Sequence, residues 1–404
     1  IIANNTDPER SDYAGKIQEL DQIKRSLLLR KGISKEEKQL PKILSIGEKV
    51  MEHARFENLN KNIYRFCDNV LEKKDGYNAI KDFINRDIPK IKGIKRGEKI
   101  IKTENFDNEI PKIISNLQNS YLYLQGPPGS GKTYQSANAI IELLKNNKKI
   151  AVTANSHKVI HNLLERVENL ANNQKYVFKG LKMGNPDNED TFYDGNLIKT
   201  DKNEKHYIDG LKDNKILLYA GTKYHLSQWY YQNKLDYLFV DEASQISVAD
   251  LIALGGIAKN IVLVGDQQQL GQPTQGSHPN DSGKSVLDYL LEDSDTISPD
   301  KGIFLNKTFR LHPNINLFTS ENFYEDRLLV NENNINRKIE YKKNSIIKNE
   351  GIHTVLMKHQ DRSQTSIEEF EIIKKIMDQV MGCKFIDFDK TERKITIDDI
   401  LIVS

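Results

Sequence analysis

An α/β protein built on a parallel sheet is the fold class that this 404-residue sequence predicts. Three observations predict it. Gly126-Pro127-Pro128-Gly129-Ser130-Gly131-Lys132-Thr133 fits the phosphate-loop pattern G-x-x-x-x-G-K-[ST]. An apolar run from Tyr121 to Leu124 leads into that loop as a strand. Lys132 to Asn146 leads out of it with Ala137, Ile140, Ile141 and Leu144 on one helical face. From about residue 103, apolar runs alternate with helical patterns, with strands expected at 120–125, 149–154, 215–220, 236–240 and 260–265. Such alternation predicts parallel strands covered by helices on both faces, with ligands at the C-terminal strand edge.

Residues 1–102 are expected to form a mainly helical, highly charged accessory or connecting region. Ile17, Leu20, Ile23, Leu27 and Leu28 repeat at helical spacing, and so do Ile63, Phe66, Cys67, Val70 and Leu71. Pro89 and Gly93 mark the exit into a basic strip, Lys90 to Lys102, with six basic residues against one acid. Residues 103–300 form the first sheet domain. An Asn/Asp-rich stretch at about 171–214 interrupts the pattern and is expected to be an insertion or surface excursion. Residues 301–404 then begin a second, partial domain.

The net charge of +2 excludes a globally basic nucleic-acid binder, although a local basic strip still meets a phosphate backbone. No apolar run reaches the roughly 18 residues of a membrane-spanning helix, so no membrane partner is expected. Cys67 and Cys383 lie too far apart in sequence to imply a disulfide framework or a zinc site, and a reducing, cytoplasmic setting is the expectation. The sequence does not open on Met, and it closes on Ile400-Leu401-Ile402-Val403-Ser404, which reads as a strand. Both features predict a segment of a longer protein.

The chemistry gathers around the phosphate loop. Its glycines let backbone N–H groups point at phosphate oxygens, and the following helix N-terminus adds partial positive charge. Lys132 is expected at the β/γ-phosphates of ATP, and Thr133 on Mg²⁺. Leu238 to Val240 reads as a strand ending in Asp241 and Glu242: one carboxylate to hold Mg²⁺, the next to polarise an attacking water. One strand later, Val262-Leu263-Val264-Gly265-Asp266 precedes Gln267, Gln268 and Gln269, suited to orient water or bond the γ-phosphate. In Thr308-Phe309-Arg310-Leu311-His312-Pro313, Arg310 is a candidate arginine finger and Phe309 a flat ring for stacking on a base.

GPPGSGKT, VDEASQ, VGDQQQL and TFRLHP, in this order, resemble superfamily 1B helicases of the up-frameshift-like and replication-helicase/nuclease-like branch. ANSHKVIHNLL, QGSHPNDSGKSVLDYLL and NFYEDRL are similar, more narrowly, to bacterial proteins that fuse a RecB-type nuclease to such a helicase. The resemblance spans about residues 90–404. It implies two RecA-like domains, the second one partial, and an ATP-dependent helicase or translocase. Its partner would be single-stranded nucleic acid, DNA favoured over RNA, with a nuclease domain or subunit as a further partner. It implies that Asp241 and Glu242 serve Mg²⁺ and water, Gln269 senses the γ-phosphate, Arg310 is the first arginine finger and Phe309 takes the place of a base-stacking tyrosine. Thr153, Asn155, Ser156, His157, Gly221 and Thr222 would meet the nucleic-acid backbone. Relatives carry an adenine-reading glutamine that falls, by spacing, near Glu109. Their second arginine finger and the motif coupling ATP to nucleic acid would lie beyond Ser404, which predicts weak hydrolysis by these residues alone. Asp387, Asp389 and Lys390 are too isolated to mark a nuclease. The rival reading is an ATP-gated nucleic-acid clamp or scaffold that does not unwind.

Overall fold

The computed structural model describes residues 54–403 apart from 104, 270, 272–277 and 359–364, and five short strands before residue 54. Two compact units result, residues 1–57 and residues 58–404. In the first unit, β1 (Ala3–Asp7), β2 (Arg10–Tyr13) and β5 (Leu44–Ser45) form an antiparallel sheet in the order β2-β1-β5. There β3 (Lys16–Asp21) pairs with β4 (Ser26–Arg30) as an antiparallel pair. Ile17, Leu20, Leu27 and Leu28, expected on a helix, therefore stand in strands, and Ile23 lies outside the described residues. A register shift between Ile17 and Glu19 breaks the two-residue period, which hides the strand from a count of apolar spacing. The other expected helical stretch is present as α1 (Ala54–Leu71), followed by α2 (Asn78–Ile84).

The second unit is organised by an eight-stranded sheet. Its strands are β6 (Tyr121–Gln125), β7 (Ile150–Thr153), β8 (Gly180–Met183), β9 (Ile198–Asp201), β10 (Leu218–Ala220), β11 (Leu235–Val240), β12 (Ala258–Gly265) and β13 (Gly302–Phe304). They run in the order β13-β6-β12-β11-β7-β10-β8-β9, and every pairing is parallel. Parallel sheets need both faces covered, and the strand sequences obey this. Along β6, Tyr121 and Tyr123 enter one buried cluster, with Ile80 and Phe83 of α2 and Leu251 of α8 (Val248–Leu254). Leu122 and Leu124 enter the other, with Ile110 of α3 (Phe106–Ser115), Ile140 of α4 (Lys132–Lys145) and Leu163 of α5 (His157–Asn173). That alternation turns a continuous apolar run into two cores on either side of one strand.

The Asn/Asp-rich stretch is not a surface excursion throughout. It supplies β8 and β9, which extend the sheet beyond β10, and α6 (Glu204–Asp213). The buried Glu168 of α5 makes this possible. Its carboxylate accepts the backbone N–H groups of Asn196, Leu197 and Ile198, at 3.1, 2.8 and 2.7 Å. A polar stretch thereby enters a sheet without leaving its amides orphaned.

Beyond β13, β14 (Lys307–Thr308) and β15 (Leu329–Val330) form a parallel pair, joined through α10 (Pro313–Phe323). A separate antiparallel sheet holds β16 (Lys338–Glu340), β17 (Lys384–Ile386) and β18 (Glu392–Lys394), with α11 (Ile367–Val380) between β16 and β17. The tight Asp387–Thr391 turn dictates antiparallel pairing there, since parallel neighbours need a long crossover. Residues 400–403, expected as a strand, are irregular and follow a 3₁₀ turn at Ile397–Asp399. Among the described residues no helix is long and apolar enough to cross a membrane.

Candidate functional site

The phosphate loop joins β6 to α4, as its flanks require. Gly129 (φ +73°) and Gly131 (φ +88°) take left-handed backbone that a side chain would strain. The Lys132 side chain arches over Gly126, where a Cβ would fall 2.0 Å from its Cγ, and its ammonium donates to the Gly126 carbonyl at 2.7 Å. The Ser130 hydroxyl is buried without a partner. A loop of this kind suits phosphate oxygens.

On the neighbouring strands, β11 delivers Asp241 and Glu242, and β12 delivers Asp266 and the glutamines. Asp241 is buried, and its Oδ1 accepts the Glu242 N–H at 3.0 Å. Burial, and then the adjacent Glu242 carboxylate, push its carboxyl up to about 7. Glu242 sits in left-handed backbone at φ +49°, rare outside glycine and a form of strain that gathers at functional sites. Gln269 donates from Nε2 to Asp266 Oδ2 at 2.9 Å, and the same oxygen accepts the buried Tyr324 hydroxyl at 2.6 Å. Asp266 thus ties the glutamine to the end of α10.

The turn after β14 docks directly on the phosphate loop. The Thr308 hydroxyl donates to the Pro128 carbonyl at 2.8 Å, and the Phe309 N–H to the Gly129 carbonyl at 2.9 Å. A Cβ on Gly129 would stand 2.3 Å from Arg310 Cβ, so glycine is what permits the approach. A cleft of about 680 Å³ results, lined by residues 127–134 together with Glu242, Gln269, Phe309 and Arg310. The expected catalytic residues Lys132, Glu242, Gln269 and Arg310 therefore share one cavity wall. Phe309 also lines an adjoining cavity of about 870 Å³ with Phe106, Tyr134 and Gln135.

Thr133 lines the cleft with its hydroxyl, while the carboxylate of Asp241 is buried outside the cleft lining, within electrostatic reach of Lys132. Among the described residues no group of three or more His, Cys, Asp or Glu gathers as a metal cage. That donor set fits Mg²⁺, which keeps waters and phosphate oxygens around one or two protein ligands.

The expected nucleic-acid residues follow β7 and β10, which are adjacent in the sheet. Thr153 and Gly221 are buried, which leaves Asn155 and Ser156 exposed and His157 and Thr222 half-buried. Ser156 also caps α5, accepting from the Val159 N–H at 3.3 Å. Glu109 does not face either cavity. Its carboxylate accepts from the Lys102 and Thr103 N–H groups and from the Thr103 hydroxyl at 2.8, 3.0 and 2.6 Å. The glutamine that lines the second cavity is Gln135, whose Nε2 donates to Asp107 at 2.6 Å.

Residue patterns missed part of the wall. Asn162, Glu165, Arg166 and Asn169 of α5 line the cleft, as does Arg337. The first four sit at helical spacing opposite the apolar stripe of α5, so a polar-face reading would have found them. Nothing in the residues around Arg337 marks it in advance.

Residues 112–284 match the family described as "AAA domain". The DNA replication ATP-dependent helicase/nuclease dna2 of Schizosaccharomyces pombe is 27% identical over 219 residues, 54% of this chain and 15% of that protein. A regulator of nonsense transcripts 1 homolog of Neurospora crassa is 26% identical over 260 residues, 55% of this chain and 23% of that protein. The chain thus spans less than a quarter of the length of these relatives. Among solved structures, arterivirus nonstructural protein 10 (helicase) in complex with DNA is 13% identical and covers 56% of this chain and 43% of its own, with a TM-score of 0.34. Pif1 helicase from Candida albicans is 16% identical and covers 52% and 41%, with a TM-score of 0.27. Overlaps this loose place no residue. Residues 112–284, which match the AAA-domain family, carry the α/β P-loop fold, and the chain is similar at a distance to the dna2 and nonsense-transcript-regulator proteins.

Proposed function

We propose that this chain is the motor portion of an ATP-dependent helicase or translocase that acts on single-stranded nucleic acid, DNA in preference to RNA. One observation carries the reading. Arg310, supplied from beyond the sheet, lines the same cleft as Lys132, Glu242 and Gln269. In this reading Lys132 and the loop amides hold the β- and γ-phosphates, and Glu242 takes the proton of the attacking water. Gln269 bonds the γ-phosphate. Arg310 stabilises charge on the transferring phosphoryl group only while its turn rests on the loop, so closure is part of catalysis. Thr133 and Asp241 would hold Mg²⁺, which would supply charge neutralisation at the phosphates. Phe309 stacks on the base. Asn155, Ser156, His157 and Thr222 face the strand backbone at the C-terminal sheet edge, with Thr153 and Gly221 shaping the backbone beneath them.

The motor belongs to a larger nuclease–helicase protein acting in the cytoplasm; the similarity to a helicase/nuclease supports the first part of that assignment. ATP hydrolysis by the full-length protein tests the reading. Single-stranded DNA is expected to stimulate turnover strongly, and Lys132→Ala to abolish it. Turnover indifferent to added strands rejects the motor. Stimulated turnover without strand displacement identifies an ATP-gated clamp instead.

A further inference from the structure

We propose that Arg337 is a positioning residue that sets the reach of Arg310 into the cleft; this rests on the ATPase reading above. The turn at residues 308–311 has four successive carbonyls, and all of them are gathered by two side chains. Asn334, which is 2% exposed, donates from Nδ2 to Thr308 O at 3.2 Å and to Leu311 O at 2.9 Å. Arg337 donates from Nη1 to Phe309 O at 3.3 Å and to Arg310 O. On the opposite side of the turn, the Arg310 and Leu311 N–H groups donate to the Thr308 hydroxyl, and the Phe309 N–H to the phosphate loop. The turn is held by the loop on one side and by Asn334 and Arg337 on the other, so what holds Arg337 bears on how the turn rests on the loop.

Arg337 is itself latched to the antiparallel sheet. Its Nε donates to Asp387 Oδ1 at 2.8 Å, and the same oxygen accepts the Phe388 N–H at 2.7 Å. The guanidinium carbon lies 5.1 Å from the Phe388 ring centroid, and Asn336 donates from Nδ2 to the Phe388 carbonyl at 3.0 Å. Lys338 pairs with Ile386 immediately alongside. One planar fork thus joins the end of β17 to the carbonyls beneath Arg310, bonding two directions at once. A lysine has a single ammonium and no such fork. Asp387, isolated in the sequence, finds its use here as the latch.

The test is steady-state ATP hydrolysis by the full-length protein with single-stranded DNA, alongside binding of a fluorescent ATP analogue. Arg337→Ala is expected to lower kcat on the order of a hundredfold by misplacing a catalytic group, with nucleotide affinity largely retained because the loop is intact. Arg337→Lys keeps the charge and is expected to stay impaired, and Asp387→Asn to fall in the same direction by less. In the Arg310→Ala background, Arg337→Ala is expected to add no further loss, since its effect runs through Arg310. Wild-type turnover of Arg337→Ala, multiplicative losses in the double variant, or parallel loss of nucleotide binding would each overturn the proposal. Absent hydrolysis in the wild type, or hydrolysis surviving Lys132→Ala, instead removes the ATPase reading on which it rests.

Discussion

Asp241 lies buried beside Glu242 with its carboxyl pushed up to about 7. Because its folded value stands above the unfolded one, folding favours the protonated form. The stability this contributes is full below the ordinary carboxylate range and is lost as pH rises to about 7. Asp241→Asn is therefore expected to raise the Tm of the nucleotide-free protein above pH 7 while abolishing turnover. Thermal melts with and without Mg²⁺-nucleotide check both halves, and a lowered Tm would contradict the buried charge. By the same linkage, Mg²⁺-nucleotide is expected to bind more weakly as pH falls below about 7, where protons compete for Asp241. Gly129 makes a second residue-level case. Its backbone is left-handed, and the space a methyl would need is filled by Arg310 Cβ at 2.3 Å. Gly129→Ala is expected to lift the Arg310 turn off the loop and cut kcat on the order of a hundredfold, the scale of a lost transition-state donor.

Among the elements, α5 joins the core to the cleft wall. Its apolar face, with Ile160, Leu163, Leu164 and Val167, packs against the sheet, while Asn162, Glu165, Arg166 and Asn169 line the cleft. Its Glu168 holds three consecutive N–H groups at the start of β9. Glu168→Ala orphans these donors and is expected to cost about 3 kcal/mol in chemical denaturation. Protection of the β8–β9 amides in hydrogen exchange should fall selectively. Equal loss across the sheet would mean that Glu168 supports the whole core rather than this edge. The strands β6, β7, β10, β11 and β12 were legible because each is an apolar run bounded by turn residues. The strands β8, β9 and β13, toward the two ends of the sheet, were not. They are three or four residues long, and two lie in a polar stretch whose amides are satisfied by a carboxylate from another element. The Ile17–Leu28 spacing misled for the complementary reason, since Ile17, Leu20, Leu27 and Leu28 fit a helical stripe and a strand pair with a shifted register alike.

At the scale of the whole second unit, the proposed nucleotide cleft is assembled from segments more than 180 residues apart, from Pro127 to Arg310. A nonhydrolysable ATP analogue with Mg²⁺ is expected to stabilise the folded protein by about 2.7 kcal/mol at a concentration a hundredfold above its Kd. Lys132→Ala should remove that shift in a thermal melt, and an unchanged shift would place the nucleotide elsewhere. The sequence by itself determined the phosphate loop, the two carboxylates after β11, the glutamine after β12 and the finger candidate at 310. Each of these is a short local pattern whose residue types have few other uses in that order. Only the tertiary structure decided that Glu109 turns toward Lys102 and Thr103, that Gln135 lines the second cavity, and that Arg337 and Asp387 stand behind Arg310. Those assignments depend on which distant groups meet. A hydrogen bond between Arg337 and Asp387 leaves no trace in sequence across a separation of 50 positions, because no local propensity or periodicity encodes it.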